Sequence, residues 1–250
     1  MSRPEKLNCT TAADVIEMTH VFRWFDEEPS LSVAVLTGAG KKAFSTGADL
    51  KEWQRKASAA AGKPGAGPGD VPGAIPLSNR LGKKPVIAAV NGMALGGGCE
   101  TVMNCDLVVA ADTAVFGLVE VKRGVAAYAG VLPRLIRTVG LQRASEMALT
   151  GNYFSAQKAM EWGFVNKVVP QHEVIDEALQ YAKVIAENSP DSIICTRAGL
   201  RQGWETASVV EATAITGRKE WAELQKGENI QEGLKAFKEK RAPVWVPSKL

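Results

Sequence analysis

KPVIAAVNGMALGGGCETVMNCDLVVAAD, from Lys84 to Asp112, decides how the chain is read. Pro85 to Gly92 is a β-branched, apolar run closed by glycine, and Asp106 to Ala111 is a second apolar run; both predict buried strands. Between them stands Ala94 to Glu100, ALGGGCE, with three consecutive glycines where a helix would begin. Such a run is costly as structure, because glycine gives up the most conformational freedom on folding. Its use is to bring backbone N–H groups close to something. The first N–H groups of a helix are unpaired and its dipole favours negative charge there, which is what a developing oxyanion needs. Close strand–helix packing with no ligand is the other reading of the same glycines.

Outward from this stretch, Ser32 to Gly38 predicts another buried strand. The segment from Thr37 to Leu50, TGAGKKAFSTGADL, looks like a phosphate loop, but its glycines fit neither GxxxxGK with Ser or Thr nor GxGxxG. What remains is a strand, a tight turn and a second glycine-flanked backbone approach at Gly47-Ala48. Glu100 falls in the first turn of the helix after the glycines. Glu120 lies among Val115, Phe116, Leu118, Val119 and Val121, where burial would raise its pKa. Two carboxylates in different surroundings can divide acid and base roles.

From Arg55 to Ile75 the composition predicts a flexible surface loop. The second half predicts helices: a short one capped by Ser155, one over Val174 to Ala186, one opened by Pro190, and two more over Ala207 to Leu224 and Ile230 to Arg241. A β-rich first half with a helical tail predicts an α/β core over 1–190 and a C-terminal helical extension over 191–250.

At 250 residues, 46% hydrophobic and 23% charged, the chain can bury a full core, which excludes whole-chain disorder. No apolar run reaches the roughly 18 residues that cross a bilayer, and MSRPEKLNC lacks the apolar stretch of a secretory signal, so a soluble intracellular protein is expected. Cys9, Cys99, Cys105 and Cys195 form no CxxC pair and have no histidine at ligand spacing; no metal is expected, and buried reduced thiols are. The net charge of +3 is too small to argue for nucleic acid. The basic run Lys235, Lys238, Lys240, Arg241 and Lys249 reads as a solvated face or as part of a site for a phosphorylated ligand. Ser248, Lys249 and Leu250 spell the peroxisomal address, so a peroxisomal location through the import receptor is expected.

RPEKLN, AVLTGAGKKAFSTGADLKEW, KPVIAAVNGMALGGGCE, NCDLVVAAD, FGLVEVKRG, LTGNYFSAQKAMEWGFVNKVV and GLKAFKEKR occur in an order that resembles the crotonase (enoyl-CoA hydratase/isomerase) family. The resemblance implies a spiral of ββα units followed by helices, assembled as a trimer or a dimer of trimers. It implies an acyl-CoA substrate, with coenzyme A as part of the substrate and no separate cofactor. The oxyanion hole would be the backbone N–H groups of Ala48 and Gly97. Asp49, Leu50 and Lys51 would continue from Ala48 along the coenzyme A moiety, with Phe237 and Lys240 approaching its adenine end. Glu100 and Glu120 would be the glutamates of a hydratase, Glu100 mainly on the water and Glu120 mainly on the proton delivered to carbon.

Three departures from the pattern stand out. The chain begins at what the family has after its first strands, so an N-terminal hairpin is expected to be missing. Val119-Glu120 stands where Pro-Glu is common. Tyr128 stands where a glycine near the catalytic water is expected, and its ring would crowd or reshape the acyl pocket. Hydration of a 2-enoyl-CoA to a 3-hydroxyacyl-CoA, or the reverse, is the expected reaction, with isomerisation or hydrolysis of another acyl-CoA as the alternative.

Overall fold

The computed structural model describes residues 1–60 and 77–250. Its strands are β1 (Ala34–Thr37), β2 (Ala43–Ser45), β3 (Val86–Val90), β4 (Met93–Leu95), β5 (Leu107–Ala111), β6 (Val115–Gly117), β7 (Phe154–Ser155) and β8 (Lys167–Val169). Its α-helices are α1 (Ala12–Glu27), α2 (Leu50–Ala60), α3 (Gly97–Asn104), α4 (Val131–Val139), α5 (Leu141–Thr150), α6 (Ala156–Glu161), α7 (Val174–Ala186), α8 (Pro190–Glu205), α9 (Val209–Thr216), α10 (Ala222–Leu224) and α11 (Glu228–Glu239).

Strands β1, β3, β5 and β8 form one sheet in that order, and β2, β4, β6 and β7 form another. From β1 to β6 successive strands thus go to alternate sheets, and a helix follows each pair: β1-β2-α2, β3-β4-α3, β5-β6-α4. This is the expected α/β spiral of ββα units. Pairing is parallel from β3 to β5 (Ile87 opposite Leu107) and from β5 to β8, and antiparallel between β6 and β7. Parallel strands covered on both faces need no alternation, which is why β3 is apolar and buried at every position. A Cβ on Gly98 would collide with the carbonyl oxygen of Ser45, so α3 starts directly against β2 with no side chain between them.

Among the described residues one compact unit takes Met1–Phe22, Val35–Arg80 and Ile87–Ala178, and the other takes Arg23–Ala34, Leu81–Val86 and Leu179–Leu250. Phe44, Phe116, Leu118, Leu135 and Met147 are fully buried in the first. In the second, Ser189 caps α8 by accepting from the Ser192 N–H at 3.4 Å, and buried Asn229 donates to Asp191 at 2.8 Å. The buried Lys84 Nζ donates to the carbonyls of Phe25 (2.9 Å) and Glu28 (2.5 Å). No helix among the described residues is long and apolar enough to cross a membrane.

Several expectations change. The loop predicted from Arg55 starts later, because α2 runs on to Ala60 through residues of high helix propensity. Residues 61–76, with most of the Pro/Gly-rich stretch from Ala57 to Gly73, lie outside the described residues. The single helix predicted over Ala207 to Leu224 is α9, a π-helical turn over Gly217–Trp221, and α10. Ser208 starts α9 by accepting from the Glu211 N–H. Cys9 is only half-buried, with its thiol 3.8 Å from Asp49, whereas Cys99, Cys105 and Cys195 are buried; all four are free thiols.

Candidate active site

Two backbone segments meet where β2 and β4 end. Gly47 has φ +83°, and a Cβ on it would stand 2.8 Å from the backbone nitrogen of Gly97. Only glycine allows both the conformation and the approach. The segment around Gly47 is held on both sides: its N–H donates to Ser45 Oγ at 3.2 Å, and its carbonyl accepts from the Thr10 N–H at 2.9 Å. The Asp49 N–H donates to the Thr10 carbonyl at 2.8 Å. Between these anchors the Ala48 N–H has no acceptor among the described residues, and neither does the Gly97 N–H that opens α3.

Glu100, in the first turn of α3, is 4% exposed, and its Oε1 accepts from the Ala129 N–H at 3.2 Å. Burial and then the Glu120 charge push its pKa up to about 7, while the Ala129 N–H and the Arg134 guanidinium pull the other way. Glu120 opens a 3-10 turn (Glu120–Arg123) that follows β6. Its Oε2 is buried without a hydrogen-bond partner among the described residues, and burial raises its pKa. Gly96, at φ +53°, leaves the space that the Glu120 carboxyl needs, since a Cβ there would lie 3.2 Å from Oε1. The environments differ as two proton-transfer roles require: Glu100 has a donor that stabilises its ionised form, and Glu120 has an oxygen that is costly to charge.

Ala48, Gly97, Glu100 and Glu120 line one cavity of about 90 Å³, together with Leu50, Trp53 and Tyr128. The folded chain thus brings together the four residues expected at the reacting centre. Tyr128 lines the cavity and is largely exposed rather than filling it. Asp49 does not line it; its carboxylate caps α2 by accepting from the N–H groups of Lys51 (3.1 Å) and Glu52 (3.3 Å), contacts that hold its pKa down. Lys51 is exposed. Phe237, on α11, and Lys240, its left-handed C-cap, belong to the second compact unit, and Phe237 is 86% exposed. The Ala129 N–H was not legible in the sequence, because any residue type supplies a backbone donor; Trp53 and Arg134 likewise carry no spacing signal.

The chain has clear relatives. A profile of the enoyl-CoA hydratase/isomerase family matches residues 1–247. The mevalonyl-coenzyme A hydratase of Aspergillus fumigatus is 49% identical over 251 residues, covering 100% of this chain and 91% of that protein. The mevalonyl-coenzyme A hydratase of Beauveria bassiana is 51% identical over 255 residues, with the same coverage. The crystal structure of an enoyl-CoA hydratase from Mycobacterium marinum superposes with a TM-score of 0.85 at 34% identity, covering 98% of this chain and 92% of that one. The protein with this paired-glutamate cavity belongs to the enoyl-CoA hydratase/isomerase (crotonase) family and is an enoyl-CoA hydratase-like enzyme.

Proposed function

We propose that this enzyme interconverts a short 3-hydroxyacyl-CoA and its 2-enoyl form, with mevalonyl-CoA as the hydrated substrate. The observation that carries the reaction is the pair of carboxylates with unequal partners, lining one cavity with two unpaired backbone N–H groups. The two relatives named as mevalonyl-coenzyme A hydratases support the acyl group. So does the cavity: at roughly 10–15 Å³ per water it holds roughly six to nine heavy atoms. The mevalonyl chain beyond its thioester carbonyl is a branched, dihydroxylated group of that size.

In hydration, ionised Glu100 takes a proton from water as its oxygen bonds to C3. The C2–C3 π pair shifts towards the thioester, and the N–H groups of Ala48 and Gly97 hold the charge that builds on its oxygen. Neutral Glu120 then delivers its proton to C2. Dehydration runs the same steps backwards, and the tertiary hydroxyl leaves C3 as water with the proton Glu100 returns. The reaction is redox-neutral and all its protons pass through carboxylates, so coenzyme A on the substrate is the one accessory group it calls for.

A trimer or dimer of trimers, and a peroxisomal location through Ser248, Lys249 and Leu250, belong to the same proposal. Ser248 contacts Asp191, Lys249 contacts Glu228 and the Leu250 carbonyl contacts Lys83, so receptor capture would compete with these contacts. A fluorescent fusion with and without the last three residues tests the location. Incubation with mevalonyl-CoA tests the reaction: a product lighter by one water, with conjugated-thioester absorbance, supports it. Unchanged mevalonyl-CoA alongside turnover of unbranched 3-hydroxyacyl-CoA would remove the substrate and keep the chemistry.

A further inference from the structure

Resting on that reading, we propose that the Tyr128 phenol is the specificity determinant that reads the hydroxyl at the far end of the mevalonyl chain. Residues Val125 to Ala129 all line the cavity, and Tyr128 is the one large side chain among three alanines and a valine. The next residue, Ala129, holds Glu100 through its N–H, so the same short backbone segment places both the carboxylate and the phenol. The phenol makes no hydrogen bond, ion pair or ring contact among the described residues. It is 61% exposed, which sets it on the open side of the cavity rather than beside the buried carboxylates.

A phenol both donates and accepts, as a substrate hydroxyl does. The other polar side chains on this wall fit the task less well. Thr46 already donates to the Leu7 carbonyl at 3.3 Å, Arg123 donates to the Lys122 carbonyl at 3.2 Å, and the Trp53 indole can only donate. Because water competes for an exposed phenol, discrimination is modest. Replacing the hydroxyl-reading group changes kcat/KM by about 3- to 10-fold, far from the 10⁴-fold or more seen where unpaired polar groups are fully buried.

The test compares mevalonyl-CoA with 3-hydroxy-3-methylpentanoyl-CoA, which lacks only the distal hydroxyl, in wild type, Tyr128→Phe and Trp53→Phe. Tyr128→Phe is nearly isosteric at an exposed position, so folding is preserved. The expected result is a wild-type preference for mevalonyl-CoA that Tyr128→Phe removes, through a raised KM for mevalonyl-CoA at nearly constant kcat, with a smaller change for the analogue. Trp53→Phe leaves the preference in place. A preference unchanged in Tyr128→Phe, or lost in Trp53→Phe instead, overturns the assignment and leaves the hydratase reading standing. A wild type that dehydrates neither compound removes both.

Discussion

A methyl group on Gly47 would stand 2.8 Å from the backbone nitrogen of Gly97, at a residue whose φ of +83° no side chain favours. The two segments that supply the unpaired N–H groups are therefore set by each other, and the site depends on the absence of one carbon atom. Gly47→Ala is predicted to lower kcat by about 100-fold or more, as loss of one oxyanion donor does, with an added loss of about 1–3 kcal/mol in stability from the strained backbone. Turnover per folded molecule, with unfolding followed in parallel, separates the two effects.

Glu100 owes its raised pKa first to burial and second to the charge on Glu120. Glu120→Gln removes the second cause and leaves the first. Titration of Glu100 by carboxyl-selective NMR should therefore move down from about 7 and remain above the ordinary glutamate range. An unmoved midpoint would mean that the two carboxylates do not sense each other. In the unaltered enzyme the two limbs of the pH–rate profile belong to the pair, with the singly protonated form active.

The same shift carries a stability penalty. In the unfolded chain Glu100 ionises at about 4.3, and in the folded chain at about 7. Between those values the folded state keeps a proton that the unfolded state has lost, so stability falls as pH rises through the window and levels off above it. Glu100→Gln carries no charge at any pH. It should unfold with little change near pH 4.5 and be more stable than the parent by about 1–3 kcal/mol at pH 8, measured by denaturant titration at both values.

Lys84 is buried, and its Nζ donates to the carbonyls of Phe25 and Glu28. Lys84→Met keeps the stem but strands those acceptors. A loss of about 2–4 kcal/mol in denaturant unfolding is expected, without direct effect on the cavity residues.

Much of this was legible beforehand, for physical reasons that differ by element. β3 and β5 announce themselves because both faces are buried, and α7 because its apolar residues recur on one face. α1 gives no such signal: Phe25 is its one buried residue, while Ile16, Val21 and Trp24 are exposed, so it has no clean apolar stripe. α4 buries Val131, Leu135 and Val139 at regular spacing, but Pro133 in its first turn disguises the start. At the site, Glu100 and Glu120 could be found from their neighbours, since glycines precede one and apolar residues surround the other. The Ala129 N–H that holds Glu100 could not, because a backbone donor leaves no mark on residue type, whereas its neighbour Tyr128 carries a distinctive side chain.

The central claim is that Glu100 and Glu120 divide the proton transfers of a hydration beside the Ala48 and Gly97 N–H groups. The most direct measurement is the loss of conjugated-thioester absorbance from a short, β-methyl-branched 2-enoyl-CoA, run with wild type, Glu100→Gln and Glu120→Gln. Turnover by wild type that falls by about 100-fold or more in each variant, with acyl-CoA binding retained, is the predicted result. Undiminished turnover in either variant, or a wild type that binds the thioester and leaves its absorbance unchanged, would contradict it.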